Sequence, residues 1–255
     1  MSGDSPLNVP GGSDSSFFPS GRLFPLPNFV LFPHVVRALH IFEPRYCVML
    51  ERALATDKLI TMSTLCPGWE ATYQDSPAIQ PIVCIGKIIH HEPTADGRHN
   101  ILLQGRTRAR VIRELEKVEL FRVAELETID DRLASDGDNV GSSDCIARSL
   151  DRIFRCILTC FSGIPLAALM QQQSLSKTTI NALTYMIAGL LPLNLDFQLK
   201  LLTETCPRHR LSLIEQWLSD TTGYPIDDEG PPTSGSPKKP TSPGDDDFPP
   251  NFSLN

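Results

Sequence analysis

The sequence predicts an α+β fold in which a strand-rich first part gives way to a helical second part. Three observations carry this. From Arg22 to Ile129 the apolar residues fall in short runs rich in Val, Ile and Thr and broken by Pro and Gly, the pattern of half-buried strands. From Asp144 to Leu218 they recur at three- and four-residue spacing, the pattern of amphipathic helices. Between the two lies the acidic stretch Asp130 to Asp138, a natural boundary.

Taken in order, Pro25, Pro27 and Pro33 cut the opening apolar run into edge-like pieces, because proline cannot donate to a ladder. A helix starts at Pro44, with Cys47, Leu50 and Leu54 on one face. Leu59 to Leu65 and Ile82 to Glu92 read as strands. Thr94-Ala95-Asp96-Gly97 then supplies a turn, since Asp and Gly accept positive φ, and Ile101 to Leu103 is the return strand. Thr107, Ala109 and Val111 alternate with Arg106, Arg108 and Arg110, so the arginines are expected on one solvated face. Val118 to Leu126 completes the strands.

Four helices follow. Asp144 is expected to cap the first, which carries Ile146, Leu150, Ile153, Phe154, Ile157 and Phe161 and ends at Gly163 and Pro165. Ser176 or Thr178 opens the second, Asn194 caps the third and Pro207 starts the fourth. The stretches 1–20 and 221–255 are Ser, Gly, Pro and Asp with little to bury, and are expected to be disordered. The expected organisation is therefore a β subdomain over 21–130 and a helical subdomain over 140–220, between two tails.

Composition narrows the function classes. Net charge is −7, but the last tail holds six acids against Lys238 and Lys239, and Asp4 and Asp14 lie in the first. The folded part is thus nearly neutral, with no electrostatic footprint for a duplex or an anionic membrane. The seven cysteines sit mostly in apolar runs with no CxxC pair, which predicts reduced thiols used as small apolar residues. Met1-Ser2-Gly3-Asp4 has neither basic nor apolar signal regions, and no apolar run reaches the ~20 residues of a membrane helix, so a cytoplasmic protein is expected.

Chemistry-bearing motifs are sparse. A phosphate loop ends in Gly-Lys-Ser/Thr, yet the one Gly-Lys pair, Gly86-Lys87, precedes Ile88 inside a strand. There is no G-x-S-x-G elbow and no H-E-x-x-H pair. His90, His91 and Glu92 lie across a hairpin turn from His99. Neighbouring strand residues point to opposite faces, so His90 and His91 cannot share one ion, and a wet hairpin tip is the preferred reading over a metal site. Cys156 and Cys160 share a helical face with no further ligand to complete a tetrahedron, which favours core packing. Neither a cofactor nor a metal is expected. Glu43 and Arg45 are placed to pair and pin the helix start.

Three blocks carry a family resemblance. Leu23-Phe24-Pro25-Leu26-Pro27, then Phe32-Pro33 and Leu39-His40-Ile41-Phe42-Glu43-Pro44-Arg45-Tyr46, resemble the L-P, F-P-G and L-x-I-F-E-x-R-Y patterns that open the N-terminal domain of Lon proteases. Gly86-Lys87-Ile88, Asp96-Gly97-Arg98 and Gly105-Arg106-Thr107-Arg108 are similar to that family's hairpin, and Lys200 to Glu204 with Arg210-Leu211 to its last helices. His34 departs from the family's glycine, and the K-Q pair is not reproduced at Gln198 and Lys200. The resemblance implies a PUA-like β pseudobarrel with one inserted helix, followed by a helical bundle, of a kind that recurs free-standing in bacteria. It also implies a non-catalytic module that binds unfolded or tagged polypeptide, with a separate protease or chaperone as a further partner. Phe29, Phe32, Arg37 and Leu39 beside the first loop, with Arg98, Arg106 and Arg108, are the expected contacts. RNA binding, argued from PUA-like folds alone, is the alternative.

Overall fold

The computed structural model describes residues 17–73, 76–116, 119–131, 143–161 and 179–224. They fall into two compact units, one running to Asp130 and one starting at Asp131. In the first unit six strands form one mixed sheet: β1 (Phe17–Leu26), β2 (Val36–Ile41), β3 (Leu59–Thr64), β4 (Ile82–Pro93), β5 (His99–Glu114) and β6 (Arg122–Ile129). Helix α1 (Pro44–Leu54) joins β2 to β3, and a short 3₁₀ turn (Trp69–Thr72) lies before β4.

The 16-residue β5 organises the sheet. One edge pairs with β4 from Ile82↔Arg110 to Pro93↔His99. The other edge is shared: β2 takes the first part, Val36↔Gln104 to Ile41↔His99, and β6 takes the last, Arg108↔Ile129 to Glu114↔Ala124. Since β6 also pairs with β1, β1 runs parallel to β3, and β3 pairs with β4, five strands close into a ring with β2 appended outside it. This is the β pseudobarrel expected of a PUA-like fold, and the chain as a whole is α+β. Bulges at Ile85/Gly86, Ile88/His90 and Val111/Arg113 supply the bending that closure requires.

Alternation divides the apolar residues between two clusters. Leu23, Val83, Ile85, Ala109, Ala124 and Leu126, from four strands of the ring, fill its interior. Their chain neighbours Phe24 and Cys84 face outward into a larger cluster with Leu26, Ile60, Met62, Ile88, Ile101 and Leu103. Helix α1 covers that cluster with Tyr46, Met49, Leu50 and Ala53. The expected face of α1 is therefore rotated: Leu50 is central, while Cys47 and Leu54 pack at the rim. Each large side chain withdrawn from water here stabilises by about 1.5–3 kcal/mol.

Some boundaries differ from expectation. β1 begins at Phe17, inside the stretch expected to be disordered, because Phe18 pairs with Leu126 and packs on the ring's interior cluster. Residues 36–41 were not expected as a strand in their own right, yet they form β2 paired with β5. The strands expected at 101–103 and 107–111 are one continuous strand.

The second unit contains α2 (Ser143–Cys160), α3 (Ile180–Leu190), α4 (Leu195–Thr203) and α5 (Pro207–Thr222). Asp144 lies within the first turn of α2 rather than before it. Thr179, not an earlier residue, caps α3 by accepting from the Ala182 N–H, whereas Asn194 caps α4 as expected, accepting from the Phe197 N–H at 2.9 Å. Pro207 opens α5, which runs into the segment expected to be tail and stops at Gly223 with φ +66°. Gly163, Pro165, Ser176, Thr178 and residues 225–255 lie outside the described residues.

Packing in this unit centres on Ile153, Cys156, Ile157, Leu183, Ile187, Leu202, Ile214 and Leu218, with Trp217 stacked between Phe161 and Phe197. Arg210 is 0% exposed. Its guanidinium donates to Asp131 Oδ1 at 2.5 Å, Asn181 Oδ1 at 2.8 Å, Thr184 Oγ1 at 3.0 Å and the Glu204 carbonyl at 2.8 Å, and lies 3.7 Å from the Tyr185 ring centre. Both terminal nitrogens thus have acceptors, which offsets most of the cost of burying the cation, while its Nε has none among the described residues.

Candidate functional site

The loop between β1 and β2 and the strand it leads into set the site. Asn28 and His34 both sit in the left-handed region, at φ +50° and +67°. His34 donates its N–H to the Gly105 carbonyl, and Gly105 donates back to the Val35 carbonyl, each at 2.9 Å. The loop lies so close to β5 there that a Cβ on Gly105 would meet the Phe32 carbonyl oxygen at 2.1 Å. Glycine at 105 is thus a condition of the loop's seat.

This seat relocates several expected contacts. Phe32 (1% exposed) and Leu39 (6%) are core residues, and so is Arg108 at 1%. Phe32 is pressed in by the loop turn, Leu39 by alternation along β2, and Arg108 by its position between the paired residues Cys84 and Ile129. Arg37, expected at the surface, shares the core-facing side of β2 with Leu39 and Ile41; it is half-buried, and burial lowers its pKa. Phe29 packs half-buried on the larger cluster. Arg98 and Arg106 are exposed: Arg98 pairs with Asp96 at 3.1 Å and lies over Phe42 at 5.9 Å, and Arg106 donates to Gln104. The arginine strip is therefore interrupted at its centre by a buried member.

What β2 does present is its other face and its outer edge. Val36 and Ala38 are exposed, and their partners Gln104 and Leu102 share that face. Ile89, in the β4 bulge, is 49% exposed. His40 closes the strip, its Nδ1 2.8 Å from Asn100 Oδ1 and its ring stacked on Phe42. The result, among the described residues, is a strand paired on one side only, with β5, and with Val36 and Ala38 exposed on its outward face. None of these residues was among the expected contacts, because the pairing of residues 36–41 with β5 cannot be read from their own sequence.

A second cluster gathers the E-x-R-Y residues. Glu43 accepts from Arg45 Nε at 2.9 Å and from the Tyr73 hydroxyl at 2.6 Å. The Arg45 guanidinium lies 4.7 Å from the Tyr46 ring centre and 4.9 Å from that of Tyr73. Arg122 borders the same shallow cleft, donating to the Pro77 carbonyl and to Glu114. Burial, then the Glu43 carboxylate, push Tyr73 up to about 12, and burial raises Tyr46 as well, so both phenols stay protonated at neutral pH. Burial likewise lifts the Cys84 thiol to about 12, which makes it a packing residue. The Glu43–Arg45 pair anchors the start of α1. Tyr73 and Arg122 gave no signal in the sequence.

Residues 22–220 match the family model of the ATP-dependent protease La (LON) substrate-binding domain. The chain belongs to that family. It is 28% identical over 148 residues to a Lon protease of Azorhizobium caulinodans, a match that covers 57% of this chain and 16% of that protein. Among solved structures, a Lon N-terminal domain protein of Xanthomonas campestris superposes with a TM-score of 0.55 at 22% identity, over 78% of this chain and 99% of the other. The N-terminal domain of a Mycobacterium avium complex Lon protease gives 0.58 at 15% identity, over 79% and 98%. Those two likenesses establish the fold, and the family model marks the chain as a substrate-recognition module. Among the described residues no helix is long and apolar enough to cross a membrane.

Proposed function

We propose that this chain is a non-catalytic polypeptide-binding module that takes an extended segment of an unfolded or tagged protein onto the open edge of β2 and passes it to a separate protease or chaperone. The observation that carries this reading is the edge itself. Among the described residues β2 pairs with β5 alone, and Val36 and Ala38 are exposed on one face of it beside the half-buried Leu102. Strand addition draws affinity from main-chain hydrogen bonds and selectivity from alternate side chains, which suits a module that meets many sequences. The family's substrate-binding role supports it. RNA binding is disfavoured, since a basic strip with Arg108 buried cannot track a phosphate backbone.

Fluorescence anisotropy with labelled unfolded peptides tests the proposal. Binding should change little between low and moderate salt, and Val36→Asp or Ala38→Asp, both on the exposed face of β2, should weaken it roughly tenfold through charge placed in an apolar contact. No binding up to millimolar peptide, or equal binding by both variants, would overturn it. Casein cleavage by the purified chain, lost on a single substitution, would overturn the non-catalytic part.

A further inference from the structure

We propose that His91 and His99 form a two-imidazole site for a late first-row divalent cation, Ni²⁺ or Cu²⁺, clamped across the β4–β5 hairpin. His90 and His91 face opposite ways, whereas His91 and His99 share one face of the hairpin. His91 stands opposite Ile101 and His99 opposite Pro93, so the two are diagonal cross-strand neighbours on one face. Their ring nitrogens, Nε2 of His91 and Nδ1 of His99, are 3.0 Å apart, with ring centres 5.2 Å apart and planes tilted by 33°. Two donors at that separation, each about 2.0–2.1 Å from a metal, subtend about 90–100° at the ion. That is the angle between adjacent ligands in tetragonal or octahedral geometry, which imidazole donors offer to Ni²⁺ and Cu²⁺.

The spacing is held by the backbone. The turn is pinned by Thr94 N–H to the Arg98 carbonyl at 2.8 Å and Gly97 N–H to the Thr94 carbonyl at 3.1 Å, so little ordering remains to be done on binding. Both rings are half-buried and reachable from solvent. Each ring keeps one N–H and turns its other nitrogen to the ion, so coordination needs a change of tautomer and no covalent step. Among the described residues no group of three His, Cys, Asp or Glu side chains converges. Water therefore completes the coordination, and the ion is exchangeable rather than structural.

The test uses the untagged full chain and NiCl₂, with isothermal titration and paramagnetic broadening of amide NMR signals. One equivalent should bind, with broadening centred on residues 90–100. His91→Ala and His99→Ala should each weaken binding roughly tenfold or more, while His90→Ala, whose ring lies on the other face, should leave it unchanged. Equal affinity in the wild type and both alanine variants, or broadening centred elsewhere in the wild type, would overturn the site. The wild-type broadening map decides the matter even if a variant unfolds. Peptide binding at β2 is a separate assay, so neither result bears on the other.

Discussion

Two single residues show how closely the first loop is fitted to the barrel. His34 occupies a left-handed conformation at φ +67°, and an L side chain there costs about 1 kcal/mol or more. His34→Gly should raise stability by about 0.5–1 kcal/mol, part of the gain being offset by unfolded-chain entropy; urea unfolding would measure it, and a loss would contradict the strain. Gly105→Ala should do the reverse. Its Cβ would fall 2.1 Å from a backbone oxygen, which cannot swing aside, so a cost of about 1–3 kcal/mol or more is expected. The family motif's Gly105 was readable as a motif, but only the crossing loop explains why alanine fails there.

Titration belongs at this scale too. His91 has its pKa lowered, by burial first and then by the two histidines near it. A base depressed in the folded state binds fewer protons than the unfolded chain near neutrality. Its stabilising contribution is then complete above the unfolded value and is lost as pH falls through the folded one. In an NMR titration the His91 ring should show a midpoint below that of a free histidine, and His99→Ala should move it upward. A midpoint unmoved by that substitution would remove the coupling.

Among elements, α5 depends most on a polar contact. Arg210 was recognisable only as part of an Arg-Leu pair similar to the family's last helices. In the structure it is a buried cation with four oxygen acceptors and a tyrosine face. Arg210→Met removes the cation together with its hydrogen bonds to Asp131 and Asn181, and should cost about 3–5 kcal/mol. Adding Asp131→Asn should recover part of that in a double-mutant cycle, and additive costs would show the two to be uncoupled. At the other end of the chain, Tyr73→Phe withdraws the hydroxyl from Glu43 and should destabilise by about 1.5–3 kcal/mol, the range for a hydrogen bond to a charged group. Thermal unfolding would read both.

For the whole molecule, much of the α+β class was legible because period-2 and 3.6-residue patterns are local, and local patterns survive tertiary context. β4, the hairpin turn at Gly97, α1 and the Asn194 cap followed from residues a few positions apart. The open β2 edge did not. Residues 34–43 include Val35, Val36, Ile41 and Phe42, which suit a strand, but no local pattern tells that they pair along the half of the β5 edge that β6 does not take. The expected contacts Phe32, Leu39 and Arg108 were drawn from residue type, and burial reassigned them.

The amino-acid order alone therefore settled which segments are strands and helices wherever hydrophobic periodicity is strong, and which family the motifs resemble. Tertiary structure decided which strand pairs on one side only among the described residues, which arginines meet water, and that His91 faces His99 rather than His90. Those outcomes depend on partners tens of residues away. The free energy of a pairing or a burial belongs to both partners at once, so neither segment's own sequence can hold it.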